Sequence, residues 1–266
     1  MGNNYKLDGF KDKKYILRED LVDYIKKTTN YEKKSSIRWV IHELVKSGNI
    51  TKVDSEHFYN GLLKDFFPKN ESKRKKEVKE FVREKYSNLD IVIYESTILN
   101  EWLNHQVSRN IIFVEVEKFY MEDVFASLRD FFKNDVLLNP STDDYYLYAK
   151  DDMIIVSNLI TRAPMHKNSY EIRVEKLIVD LFSNGLISEF FSHSEYDSII
   201  NSIFNMYKVN IKKVFSYAKR RNLSNKLEKY VNKQYPSELN KWNIISNCLI
   251  YLSKSMQLID KCIEIL

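Results

Sequence analysis

Three sets of residues in this chain have types and spacings that could do chemistry. The first runs through Lys33, Lys34, Ser35, Ser36, Arg38, His42 and Lys46, with Lys52 a little further on. A guanidinium such as that of Arg38 can give two hydrogen bonds to one guanine edge. Hydroxyls and free backbone N–H groups at a helix start suit phosphate, and lysines beside them add contacts to a nucleic-acid backbone. The second set is Asp90, Glu115, Glu117 and Lys118, the residue types with which magnesium-dependent nucleases work. Its register is unusual, because the position two before Lys118 is Val116 and not an acid. Strand alternation would put Glu115 and Glu117 on one face and Lys118 on the other. The third set, Lys212, Lys213, Lys219, Arg220 and Arg221, is a second basic surface. It would either touch nucleic acid or dock on acidic parts of the chain.

Other chemistry finds little support. His42, His57, His105, His166 and His193 are scattered, without the spacing of a histidine metal site. No nucleophile elbow, phosphate-binding loop or dinucleotide fingerprint occurs, so neither a catalytic triad nor a cofactor is expected. Cys248 and Cys262 make neither a disulfide framework nor a zinc site and read as buried cysteines of a reducing cytoplasm.

The first set needs a helix to present it. Ile37, Val40, Ile41 and Leu44 recur at the spacing of one buried helical face, with Ser35 and Ser36 as candidate N-caps and Gly48 as the stop. Before it, Leu17 to Lys27 reads as a first helix and Tyr31 to Lys34 as a short turn of helix. After it, Ile50 to Val53 and His57 to Tyr59 read as a hairpin. That order predicts an N-terminal winged helix-turn-helix over residues 1–67. A charged connecting helix follows over 68–87.

The second set needs strands. Leu89 to Tyr94, Asn110 to Val116, Asp135 to Leu138 and Asp152 to Ser157 are apolar strand-sized runs. They alternate with helical stretches at Thr97 to Gln106 and Tyr120 to Phe132. Such alternation predicts crossover connections, hence a mixed α/β class with a small, mostly parallel sheet flanked by helices. From Glu171 only helices are expected: to Phe182, Ser194 to Tyr207, Ile211 to Asn222, Ser224 to Gln234, and an extra C-terminal helix at Asn243 to Ile265. Residues 88–235 thus form an α/β domain with a helical tail, and 236–266 an addition to it.

Charge is unevenly spread. Lys/Arg outnumber Asp/Glu by 21 to 14 up to Ser87 and by 12 to 4 from Met206, while Asn88 to Asn205 has 9 against 19. Basic ends and an acidic middle point to a polyanion partner for the ends. No apolar run reaches the length of a membrane span, and the first residues have no signal-peptide character, so a cytoplasmic protein without membrane contact is expected.

In the order of its parts the chain resembles the AbiEi-like antitoxins of type IV toxin–antitoxin, abortive-infection systems. Four stretches carry the likeness. They are Ile37-Arg38-Trp39 with Leu44-Val45-Lys46-Ser47-Gly48; Thr97-Ile98-Leu99-Asn100-Glu101, His105-Gln106 and Phe113-Val114-Glu115-Val116-Glu117-Lys118; Val174 through Phe182; and Tyr217-Ala218-Lys219-Arg220-Arg221. The resemblance implies a bacterial transcriptional regulator in phage defence. Such a protein would bind double-stranded DNA at its own promoter and counter a nucleotidyltransferase-like toxin without a stable complex. One departure stands out. Ser55-Glu56-His57-Phe58-Tyr59 replaces the basic wing of that family and puts an acid where a phosphate contact would be. Two alternatives remain: a restriction-endonuclease-like nuclease targeted by the winged helix, and a protein-interaction module that does not bind DNA.

Overall fold

The computed structural model describes residues 7–234 of the 266, apart from 54, 70, 167 and 184. The expected helix at Asn243 to Ile265 and both cysteines lie outside the described residues. Among the described residues, those up to Leu223 form one compact unit and those from Ser224 onward belong to a second. The class is mixed α/β, with several helices and small sheets.

The first unit opens with β1 (Tyr15–Leu17), α1 (Arg18–Thr29), α2 (Lys34–Lys46), β2 (Ile50–Lys52) and β3 (His57–Asn60). The strands form an antiparallel sheet in the order β1-β3-β2, with Ile16 opposite Phe58 and Thr51 opposite Tyr59. Ile16, Leu21, Ile25, Ile37, Val40, Ile41, Leu44, Ile50 and Phe58 close into one apolar core with Phe10. The four α2 positions spaced for a buried face are thus all inside.

Three local details differ from expectation. Leu17 ends a strand instead of opening α1. No helical turn forms over Tyr31 to Lys33, because Asn30 adopts a left-handed conformation (φ 56°) that ends α1. α2 starts at Lys34 with Lys33 as its N-cap, so Ser35 and Ser36 lie in the first turn and cap nothing. Gly48 does stop α2, at φ +77°. A side chain there would be strained by that φ and would meet Leu62 at 3.1 Å.

α3 (Lys73–Lys85) follows, capped by Ser72, whose hydroxyl accepts from the Lys75 amide at 3.0 Å. The larger sheet comprises β4 (Ile91–Glu95), β5 (Ile111–Val116), β6 (Val136–Leu138) and β7 (Met153–Asn158), in the order β4-β5-β7-β6. β5, β7 and β6 run parallel, and β4 is an antiparallel edge. α4 (Met121–Phe132) and α5 (Thr142–Tyr148) make the crossovers. On one face Ile91, Ile93, Ile112, Val114, Val116, Ile154 and Val156 pack against Val78 and Val82 of α3 and Val124, Leu128 and Phe132 of α4. Alternation sends Tyr94, Phe113, Glu115, Ile155 and Ser157 to the opposite face.

Thr97 to Gln106 is not the expected α-helix. Only a 3-10 segment forms, Ser96–Glu101. The Ser96 hydroxyl donates to the Arg109 carbonyl (3.0 Å) and accepts from the Ile111 amide (2.9 Å), and Asn100 Oδ1 accepts from the Val107 amide (2.7 Å). These side-chain bonds compete with helical ones and pin the segment to β5.

β8 (Met165–His166) and β9 (Glu171–Ile172) form a hairpin beside β4, where Tyr170 accepts from the Ile93 amide at 2.7 Å. Glu171 is therefore a strand residue and not a helix start. It receives the Nζ of Lys75 (2.8 Å) and of Lys79 (2.9 Å), which ties α3 to the hairpin. α6 (Val174–Leu181), α7 (Tyr196–Met206) and α8 (Ile211–Arg220) complete this unit. α9 (Ser224–Gln234) belongs to the second.

The N-terminal elements are joined to the helical end of their unit. Lys64 forms a parallel bridge with Tyr207, and the Tyr15 hydroxyl donates to the Phe204 carbonyl at 3.3 Å. No described helix is long and apolar enough to cross a membrane.

Candidate functional site

α2 is amphipathic in an unusual sense: its outer face is basic. With Ile37, Val40, Ile41 and Leu44 buried, Lys33, Lys34, Ser35, Arg38, His42 and Lys46 are exposed and Ser36 is half-buried. Lys34, Arg38, His42 and Lys46 follow each other at four-residue spacing, which stacks them into one ridge. None of the four makes a hydrogen bond or ion pair among the described residues. Trp39 is 50% exposed beside this ridge. Lys52, at the end of β2, is exposed as well.

Between β2 and β3 the acid singled out in the sequence, Glu56, accepts from Lys212 Nζ at 2.8 Å. The third basic set is thereby divided. Lys212 is bound to Glu56, and the Arg221 Nε lies 3.7 Å from Asp180. Lys213, Lys219 and Arg220 point outward from α8 and are exposed.

The carboxylates of the second set are also divided. Asp90 is half-buried just before β4, and Glu117 and Lys118 are exposed past the end of β5, where a 3-10 turn begins. Glu115 is buried, and its cation is Lys176 and not Lys118. No group of three or more His, Cys, Asp or Glu side chains among the described residues could hold a metal ion.

Around Glu115 the fold builds a polar centre. Lys176, fully buried on α6, donates to Glu115 Oε1 at 2.8 Å and to Asp180 one turn further along the same helix. The Tyr94 hydroxyl donates to the same Glu115 oxygen at 2.8 Å, and the Tyr217 hydroxyl donates to Asp180 Oδ1 at 3.2 Å. The ammonium of Lys176 also lies 5.2 Å from the Tyr94 ring centroid, within cation–π range.

Burial lifts the Glu115 carboxyl above its ordinary value, although Lys176 pulls it back. Burial would lower the Lys176 ammonium, but Asp180 and Glu115 outweigh it and hold it above its ordinary value. Burial and the neighbouring carboxylates push both Tyr94 and Tyr217 up.

The centre opens into a cavity of about 420 Å³ at the carboxyl ends of the parallel strands, where open α/β sheets bind ligands. Sequence reasoning saw Glu115 but missed Lys176, Asp180 and the two tyrosines. A signal was present: Lys176 and Asp180 are opposite charges four apart with only Leu177, Ile178 and Val179 between them.

A mixed α/β protein with a basic helix at one end and a buried ion cluster at its larger sheet is the class these features define. The chain belongs to a family of unknown function, DUF6577, whose model matches residues 36–237. Neither the curated proteins nor the solved structures contain a match to it.

Proposed function

We propose that the N-terminal elements are a winged helix-turn-helix that binds double-stranded DNA, with α2 as recognition helix and the β2–β3 hairpin as wing. The single observation that carries this is the α2 ridge. A helix with four residues locked into a core leaves Lys34, Arg38, His42 and Lys46 exposed, without partners among the described residues, at the position where such domains enter the major groove. The strand order β1-β3-β2 supports the same reading, because it places a hairpin directly after the second helix. Arg38 reads a guanine edge, while Lys33, Lys34, Ser35 and Ser36 hold phosphates at the N-terminal turn and Lys52 touches the neighbouring backbone.

The likeness to AbiEi-like antitoxins makes the chain's own upstream DNA the first sequence to test. It extends the proposal to a regulator that counters a nucleotidyltransferase-like toxin in a phage-defence operon. Gel shifts on that DNA at 50 and 200 mM salt test the DNA-binding part. Six or more phosphate contacts weaken binding by roughly a thousandfold or more over that range. No shift at the lower salt overturns the proposal. Rescue of growth on co-expression with a neighbouring nucleotidyltransferase-like gene tests the antitoxin part.

A further inference from the structure

We propose that the cavity beside Glu115 is a binding site for an uncharged nucleoside whose base carries an exocyclic amino group. The site is independent of the DNA-binding face, and four observations select the ligand.

Its size is the first. About 420 Å³ lies within the range of small-molecule pockets and admits a base with its sugar. Its charge is the second. Lys176 is held by Glu115 and Asp180, and Arg221 lies against Asp180, so the wall offers no unopposed cation for a phosphate. A neutral ligand fits where a nucleotide would not.

Unsatisfied polar groups are the third. Glu115 Oε1 takes both Tyr94 and Lys176, and Oε2 has no hydrogen bond among the described residues. A lone carboxylate oxygen on a cavity wall calls for an N–H or O–H donor from the ligand. Asn139, Thr142, Ser157 and Asn158 also line the cavity, and their side chains make no hydrogen bond among the described residues. They supply donors and acceptors for ribose hydroxyls.

The apolar wall is the fourth. Phe113, Ile155, Leu186 and Ile187 line the same space, and Phe113 stacks on Tyr94 with centroids 4.9 Å apart. A flat heterocycle with one donor edge and a hydroxylated tail matches a pocket that combines apolar side chains with unpaired polar groups. The location agrees: Glu115 faces Ser157 across β5 and β7, Asn158 ends β7, and Asn139 follows β6, so all sit at carboxyl ends of parallel strands.

Calorimetric titration of the full chain with adenosine and with cytidine tests this. The expected result is saturable binding of at least one of them, at least tenfold tighter than that of its 5′-monophosphate or of ribose. Ser157→Leu fills the cavity from a half-buried strand end and is expected to abolish binding without moving the unfolding midpoint by more than a few degrees. Asn158→Leu is the second blocking variant, should the first not fold. The proposal is overturned by an absence of binding to either nucleoside at millimolar concentration. It is equally overturned by binding that survives in a folded blocking variant, or by a monophosphate that binds as well as its nucleoside.

Discussion

Lys212 Nζ lies 2.8 Å from Glu56 Oε1, so the first turn of α8 neutralises the acid at the β2–β3 turn. In the proposed DNA complex a free carboxylate at this turn would repel phosphate; a paired one does so far less. Glu56→Gln is therefore expected to leave DNA affinity equal or raised, and Lys212→Ala to lower it several-fold by exposing the acid. In a Glu56→Gln background Lys212→Ala should have almost no effect, a coupling that a double-mutant cycle of gel shifts reads directly. Both side chains are about half exposed, so the unfolding free energy should move by less than about 1 kcal/mol. Additive effects of the two changes on DNA affinity would overturn the proposed role of the β2–β3 turn as a wing.

Arg38→Ala is expected to weaken binding to the preferred sequence by about 1–3 kcal/mol and to relax preference at one base pair. Lys52→Ala should instead weaken all sequences alike and reduce the salt slope by about one contact. Arg38 is exposed and lies outside the core, so the melting temperature is expected to hold. Competition binding with a set of single-base operator variants separates the two behaviours. If Arg38→Ala binds every variant as the parent does, α2 is not the reading helix.

The elements with strong local signals were legible from residue order. Ile37, Val40, Ile41 and Leu44 predicted the inner face of α2, and the apolar runs predicted β4 to β7 to within two residues at each end. What escaped depends on partners distant in sequence. β1 is three residues long and exists because Ile16 pairs with Phe58, which no local pattern contains. The 3-10 segment at Ser96–Glu101 replaced a helix because Ser96 and Asn100 bond to residues seven to fifteen positions on. α5 was missed although Ser141 and Asp144 form a capping box, a signal that its aromatic run obscured. At the buried centre Glu115 was visible as an acid near a strand end. Lys176 carried a local signal in its spacing to Asp180, but its pairing with Glu115 did not, since the two sit 61 positions apart and meet only through the packing of α6.

Lys176→Met tests how much that centre holds the fold together. Removing the cation leaves Glu115 with no cation and Asp180 with only Arg221 at 3.7 Å, and breaking a buried pair from one side costs about 3–5 kcal/mol. The triple change Lys176→Met, Glu115→Gln, Asp180→Asn removes the charges together and is expected to recover most of that loss. Urea titration followed by circular dichroism measures both. A single variant as stable as the parent would mean that the carboxylates find water or protons cheaply, and that the cluster is not a structural requirement.

The same centre sets the response to alkali. Tyr94, Tyr217 and Lys176 all have folded values above their ordinary ones, the tyrosines through burial and nearby carboxylates, the lysine because Asp180 and Glu115 overcome its burial. In the unfolded chain a tyrosine loses its proton near pH 10 and a lysine near 10.4. Above those values the folded state therefore binds more protons than the unfolded one, and stability falls as pH rises. Their contribution is fully present below pH 10 and is lost as the pH climbs towards the folded values. Each group that stays protonated in the folded state after its unfolded counterpart has titrated adds a slope of up to about 1.4 kcal/mol per pH unit. Tyr196, pushed up to about 12 by burial, steepens the fall in the same direction. Urea midpoints at pH 8, 10 and 11 should be level over the first interval and drop sharply over the second. Tyr217→Phe removes one titrating group, so its slope above pH 10 should be shallower by up to about 1.4 kcal/mol per pH unit even if it starts from a lower stability. An unchanged slope in that variant would place the Tyr217 hydroxyl in contact with solvent, contrary to its burial against Asp180.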